Sequence, residues 1–341
     1  MTPASVLERA VRRFDDVQVS QRWLAQPIGV IRKYADDRGS AFAGLVTFQV
    51  FLGLLPLLVI ALTVFGRILE NSDSVREAVL ESTLVQFPIV GRQIEDNLSG
   101  LSVDGWWVWV TLAGLLWTAT GMYNSFQLAL NQVWNVEGVD RQGFVGRLLR
   151  ALVLFTLVFA AAIGSQALRG LDVLPATGGL AEVATLVAGS LFAGLLLLGV
   201  LRIVVAPAVD WRRLVPAALL AGVAWEVLQR IGSWIVSDRL SQARSLYGAI
   251  GLVVVTLFWI NLLARSVIIA NEAAVVHARH LWPRRIAQPP LTEADRRVLV
   301  GLVGNERRRP EQTVVVAYSP DGSEGVDVDP EVHVIGGDGE N

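Results

Sequence analysis

Six long apolar stretches in a chain of 341 residues constrain this sequence more than any motif does. A helix crossing a bilayer needs roughly 20 mainly apolar residues. Windows of that kind lie near 43–66, 106–132, 148–168, 183–206, 214–236 and 249–276. The chain is 53% hydrophobic and only 18% charged, below the roughly 25% charge of an ordinary soluble domain. The predicted class is therefore all-α: a polytopic membrane bundle of six transmembrane helices, with a short amphipathic helix before it and a largely disordered tail after it.

Three regions follow from this pattern. Residues 1–40 form an N-terminal amphipathic segment, 41–280 the six-helix membrane domain, and 281–341 a tail with one short helix and an acidic, disordered end. Charges spread across 1–38 leave no apolar signal-peptide core there, so membrane entry is expected to begin near Ala43. Over 5–17, Leu7, Ala10, Val11 and Phe14 recur at helical spacing against Arg9, Arg12, Arg13 and Asp16. Two readings stand for this helix: lying on the membrane surface, or packed on the bundle as a cytosolic helix. Pro27 begins a second short segment that leads into the first span. Beyond Pro283, Thr292 stands in a capping position before Glu293 and Asp295, which predicts a short helix over 291–304. The tail from Pro310 is acidic and rich in Gly, a composition typical of disorder.

Basic residues accumulate on the cytoplasmic side of membrane helices. Arg9, Arg12, Arg13, Arg22, Arg32, Lys33 and Arg38 precede span 1, Arg141, Arg147 and Arg150 follow span 2, Arg212 and Arg213 follow span 4, and Arg279, Arg284 and Arg285 follow span 6. These segments alternate so as to share one side, whereas 67–105 is rich in acids. Both termini are thus expected on the cytoplasmic side. Apolar positions at helical spacing within 67–105 also predict helices there. Trp106, Trp107 and Trp109 open span 2 at one interface and Trp134 closes it at the other, as an aromatic belt would.

There are no cysteines, which removes disulfides and thiol chemistry. His277 and His280 lie three apart near Glu272, but a solvated interfacial pair explains them better than a metal site. The sequence calls for no cofactor, no metal and no catalytic residue, and the basic run 307–309 lacks the aromatic platform of a nucleic-acid site. Ionisable groups inside spans mark either a functional site or a structural pair. In span 5, Glu226 lies one turn from Arg230, and Arg265 is an alternative partner for it. In span 6, Asn261, Arg265 and Glu272 fall within about 40° of one another on the helix wheel. Asn124, Gln127 and Asn131 share a face of span 2, and Gln49 lies near Pro56 in span 1. These residues are candidates for the lining of a substrate cavity, with helix–helix adhesion as the other reading.

Several stretches resemble the YihY/BrkB family of six-helix inner-membrane proteins, some of which once carried a ribonuclease BN label. They are TFQVFLGLLPLLV (47–59), LLWTATGMYNSFQLALNQVW (115–134), VPAALLAGVAWE (215–226), SLYGAIG (245–251) and FWINLLARSVIIANE (258–272), and the likeness extends over roughly 30–280. Pro56, Trp117, Gly121, Asn131, Trp134, Pro216, Tyr247, Gly248, Trp259 and Glu272 keep the family pattern. Gln49, Ala217, Asn271 and Arg265 depart from it. The resemblance implies a bundle linked to envelope integrity, with a transporter or lipid-handling role for an amphiphilic envelope component. Membrane lipids, anionic ones included, are the expected partners and nucleic acid is not. A non-transporting structural or assembly role is the alternative, and ribonuclease activity is disfavoured.

Overall fold

The computed structural model describes residues 3–70, 106–136, 146, 148–154, 179–205, 209–243, 248–288, 290–307, 311–318 and 331–335. The helices are α1 (Pro3–Ser20), α2 (Arg22–Asp36), α3 (Gly39–Glu70), α4 (Trp106–Val133), α5 (Gly179–Val204), α6 (Trp211–Ala243), α7 (Gly248–Ala278) and α8 (Glu293–Asn305). Residues 148–154 are also helical. Two strands follow, β1 (Val314–Tyr318) and β2 (Glu331–Ile335).

Among the described residues, four helices are long and apolar enough to cross a membrane, through the windows Gly39–Pro56, Val183–Val204, Trp211–Gly232 and Val253–Ala278. These lie in α3, α5, α6 and α7. The expected count of six is not reached among them. The window at 106–132 is a helix of 28 residues, but Thr118, Thr120, Tyr123, Asn124, Ser125 and Gln127 dilute its apolar character. Most of the window at 148–168, and nearly all of the acidic stretch 67–105, lie outside the described residues. Pro56 and Pro216 sit inside continuous helices.

Helix α7 packs against α2, α3, α4 and α6, while α5 pairs with α6 and α3 with α4. Small side chains set the closest approach. A Cβ on Gly222 of α6 would lie 2.5 Å from the Ser190 carbonyl oxygen and 2.6 Å from the Gly194 nitrogen on α5. In lipid, apolar helices gain little by hiding apolar surface from one another, so such backbone proximity supplies much of the attraction. Outside the seams, Phe48, Leu55, Trp117, Leu191, Leu195, Val254 and Phe258 are exposed, as a lipid-facing surface requires.

One end of the bundle, here the charged end, carries α1, α2 and α8. The Asp15 carboxylate of α1 accepts the backbone N–H groups of Ile286 (2.9 Å) and Ala287 (2.8 Å), and the Gln18 amide donates to the Arg284 carbonyl at 2.6 Å. The N-terminal helix is thus docked on the chain through this face. Arg284 is buried and bridges Asp36 of α2 and Asp295 of α8, each at 2.7 Å. Asp295 also completes a capping box with Thr292, so one carboxylate both starts α8 and fixes it to the segment after α7.

The tail corrects an expectation. Disorder is predicted from Pro310 onward, yet β1 and β2 pair antiparallel from Val314↔Ile335 to Tyr318↔Glu331. Bulk composition dominated that expectation. The local runs VVVAY and EVHVI are rich in β-branched residues, which suit a pleated strand.

The α5–α6 seam yields a direct test. Gly222→Ala should destabilise the detergent-purified protein by about 1–3 kcal/mol, because its methyl meets backbone that cannot rotate away. Gly44→Ala, where nothing lies within 4 Å of the added carbon, should be neutral or slightly stabilising. Equal unfolding midpoints for the two variants in denaturant titration would show that the seam is not tightly packed.

Candidate functional site

The end of α4 is where the fold concentrates its buried polarity. A helix leaves its last carbonyls without intrahelical donors and carries partial negative charge there. In α4 three different parts of the chain supply the missing donors. Asn305 of α8 donates to the Gln132 carbonyl at 3.4 Å, Lys33 of α2 to that of Val133 at 2.9 Å, and Arg279, just past α7, to that of Trp134 at 2.7 Å. Asn135 then ends the helix in a left-handed conformation, with φ 51°.

Lys33 is the centre of this arrangement. It lies on the inner face of α2 with Ala25 and Gly29 and is fully buried. An ammonium group has three N–H donors. They go to Val133, to Asp37 at 2.5 Å and to Glu272 of α7 at 2.9 Å. Asp37 and Glu272 are buried as well, and Gln132 approaches the other oxygen of Asp37 at 3.5 Å. The second carboxylate oxygen of Glu272 is buried with no hydrogen-bond partner.

The neighbours of the cluster are polar too. The Trp134 indole donates to Asn271 at 3.0 Å, and Asn271 donates to the Val267 carbonyl at 2.9 Å. Trp134 is therefore a buried connector between α4 and α7, not the interfacial belt residue expected of it. Tyr34 has its hydroxyl buried without a partner. Burial pushes its phenol above the ordinary value, Arg265 opposes this, and Glu272 adds to it. Burial likewise pulls the Arg279 guanidinium down, nearby Arg213 adds to that, and Asp37 counters both. Arg279 also walls a cavity of about 330 Å³ shared with Asn135, Leu281, Arg297, Val300, Gly301 and Gly304.

The residues predicted to line one cavity are dispersed. Of the span 6 stripe, Glu272 enters the lysine cluster, Asn261 donates to Thr47 of α3 at 3.1 Å, and Arg265 is exposed. In α4, Asn124 is exposed, Gln127 donates to the Tyr123 hydroxyl at 3.1 Å, and Asn131 is half-buried. Gln49 packs on Gly121, with its amide oxygen buried and without a partner. Glu226 is buried and faces Arg230 at 3.5 Å, which in turn reaches Thr185 at 3.3 Å. Gly189 makes room for this carboxylate, since a Cβ there would lie 2.9 Å from it. Trp259 packs on Gly232, Trp117 is 78% exposed, and Tyr247 lies outside the described residues. Gly248 is the first residue of α7.

Lys33, Asp37 and Arg279 are among the participants not singled out as site residues from the sequence, because all three lie outside the interior of any apolar window. A signal was present nonetheless. Lys33 is the sole lysine among 29 basic residues, and Asp37 follows it by one helical turn.

A family profile described as virulence factor BrkB matches residues 30–294, a range that includes Lys33, Asp37, Glu272 and Arg279. Among similar proteins are UPF0761 membrane proteins of Janthinobacterium sp. (strain Marseille), 26% identical over 304 residues, and of Stenotrophomonas maltophilia, 27% identical over 246 residues. A third, from Ralstonia nicotianae, is 28% identical over 266 residues. These alignments cover 83%, 67% and 72% of this chain and 67%, 55% and 58% of the relatives. The chain thus spans little more than half the length of two of the three. No solved structure matches.

Lys33→Met would leave Asp37 and Glu272 as adjacent buried carboxylates without their cation. Loss of about 3–5 kcal/mol is expected, as for breaking a buried pair from one side. Adding Glu272→Gln to Lys33→Met should recover part of that loss in a double-mutant cycle. Strictly additive effects would mean that the two side chains do not interact.

Proposed function

The chain belongs to the family described as virulence factor BrkB, and from that premise we propose that it is a multi-pass bacterial inner-membrane protein that binds and translocates an anionic amphiphile of the envelope. Arg265 carries this reading. It lies within the apolar window of α7, is exposed, and makes no hydrogen bond or ion pair with the described residues. A guanidinium at such a position is costly unless an anion or water meets it. The phosphate or carboxylate of an amphiphile would supply charge-assisted hydrogen bonds from the lipid side. The charges of Arg265 and Glu272 both act on the Tyr34 hydroxyl, in opposite senses.

A second reading, a structural or assembly factor without transport, is favoured by a different observation. All three N–H groups of Lys33 are used within the protein, which leaves none for a substrate. Neither reading involves a catalytic step. Under both, the basic segments support a cytoplasmic location for the charged end and both termini.

Purified protein should be stabilised against heat by phosphatidylglycerol more than by phosphatidylcholine, since a ligand that binds only the folded state raises its stability. Arg265→Leu should remain folded and lose the phosphatidylglycerol increment. A full increment in that variant would remove Arg265 from the binding role, and no increment in either protein would favour the assembly reading. For orientation, Ser323→Cys should react with an impermeant thiol reagent only after cells are permeabilised. Labelling in intact cells would invert the topology.

A further inference from the structure

Helix α2 is amphipathic in the sense opposite to that of a helix lying on a protein in water. Its face towards the bundle is Ala25, Gly29 and the charged Lys33, all buried. Its outer face repeats at the same spacing as Trp23, Pro27, Ile31 and Ala35, all exposed. Trp23 is 71% and Ile31 67% exposed. Helix α1 repeats the inversion. Asp15 and Gln18 are buried, whereas Ala10, Phe14 and Val17, at i, i+4 and i+7 on one stripe, are exposed. Charge inside with tryptophan outside is a stable arrangement only where the outer medium is the less polar one.

We propose that α1 and α2 are embedded in the leaflet at the charged end, with these two stripes in contact with lipid. Length bears on the depth. Helix α2 has 15 residues, too few to cross a bilayer, which takes about 17–25, so it occupies one leaflet and does not span. Continuity bears on the occupant. Only Asp37 and Arg38 separate α2 from α3, whose exposed Leu45 and Phe48 belong to a membrane-spanning window. The flanking charge bears on it too. Arg9, Arg12 and Arg13 stud α1 and Arg22 opens α2, as expected of helices whose polar edges meet phosphate headgroups. Arg22 also lies over the Trp282 ring at 5.6 Å and Arg32 donates to the Ile286 carbonyl at 3.3 Å, contacts that hold α2 to the body of the protein.

Lipid on the outer face of α2 then presses its inner face, and with it Lys33, against α4 and α7. This surface stands on the exposure of α1 and α2 and is independent of the Arg265 reading. Neutral lipid tests it separately.

The chain has no cysteine, so single substitutions carry a nitroxide label without background. Trp23→Cys, Ile31→Cys and Ala35→Cys, reconstituted in phosphatidylcholine vesicles, should show labels open to oxygen and shielded from a water-soluble nickel chelate. Their depth should be about 5–10 Å below the phosphates. Val315→Cys, on the exposed side of β1, should be open to the nickel reagent. Ala35 is the smallest of the three, so its label reports even if replacing Trp23 perturbs folding. Nickel access at 23, 31 and 35 equal to that at 315 would overturn the proposal by placing the stripe in water. Shielding from both reagents would also overturn it, because the cover would then be protein, either a second copy or another chain.

Discussion

The ammonium group of Lys33 joins three helices through one atom. Its bonds to Asp37, Glu272 and the Val133 carbonyl fix the end of α2, the end of α4 and the last turns of α7 relative to one another. Apolar side chains cannot do this in a bilayer, since a leucine facing lipid is about as well solvated as a leucine facing another helix. Helices in that medium select register through polar contacts and close backbone approach. The cluster supplies the first at the charged end, and the Gly222–Ser190–Gly194 contact supplies the second between α5 and α6. Isolated in hydrocarbon, an ion pair would be costly. Placed against the carbonyl-bearing end of α4, it satisfies a backbone acceptor, the Val133 carbonyl, that would otherwise need water.

The same economy extends outward. Arg284 joins Asp36 to Asp295 much as Lys33 joins Asp37 to Glu272, and the adjacent residues Asp36 and Asp37 belong to different networks. Helix α2 therefore ends in two carboxylates, one turned to the membrane bundle and one to the segment that carries α8. Asp15 and Gln18 add α1 to that segment through its backbone. The N-terminal helices, the bundle and α8 are consequently tied by charge-assisted bonds, which are the stronger class of hydrogen bond.

Much of this was legible in the sequence and some was not, for identifiable reasons. Apolar periodicity locates α3, α5, α6 and α7 because a spanning helix must be apolar along its length, and Thr292 marks the start of α8 because capping is a local matter. The Glu226–Arg230 contact is readable for the same reason, as both residues lie on one helix. Long-range pairings are not local. Nothing in the spacing of Glu272 points to a lysine more than two hundred residues earlier, and a search confined to apolar windows passes over Lys33 and Asp37. The tail fails in the opposite direction, since averaging over acidic and glycine-rich residues conceals two short valine-rich strands.

The stripe of Asn261, Arg265 and Glu272 shows why a shared helical face is not a shared site. Eleven residues separate its ends, roughly 16 Å along the helix at 1.5 Å per residue. Over that length α7 passes from Thr47 of α3 to Lys33 of α2, so one face meets two neighbours, and Arg265 falls exposed between them. The identity of the cation follows the same geometric logic. With arginine used everywhere else in the chain, the one lysine occurs where three acceptors converge on one point. A compact ammonium meets that geometry, whereas a planar guanidinium spreads its donors in a fork suited to a flat carboxylate. Arg284 illustrates the contrast, using two nitrogens of its planar fork, Nη2 for Asp36 and Nε for Asp295.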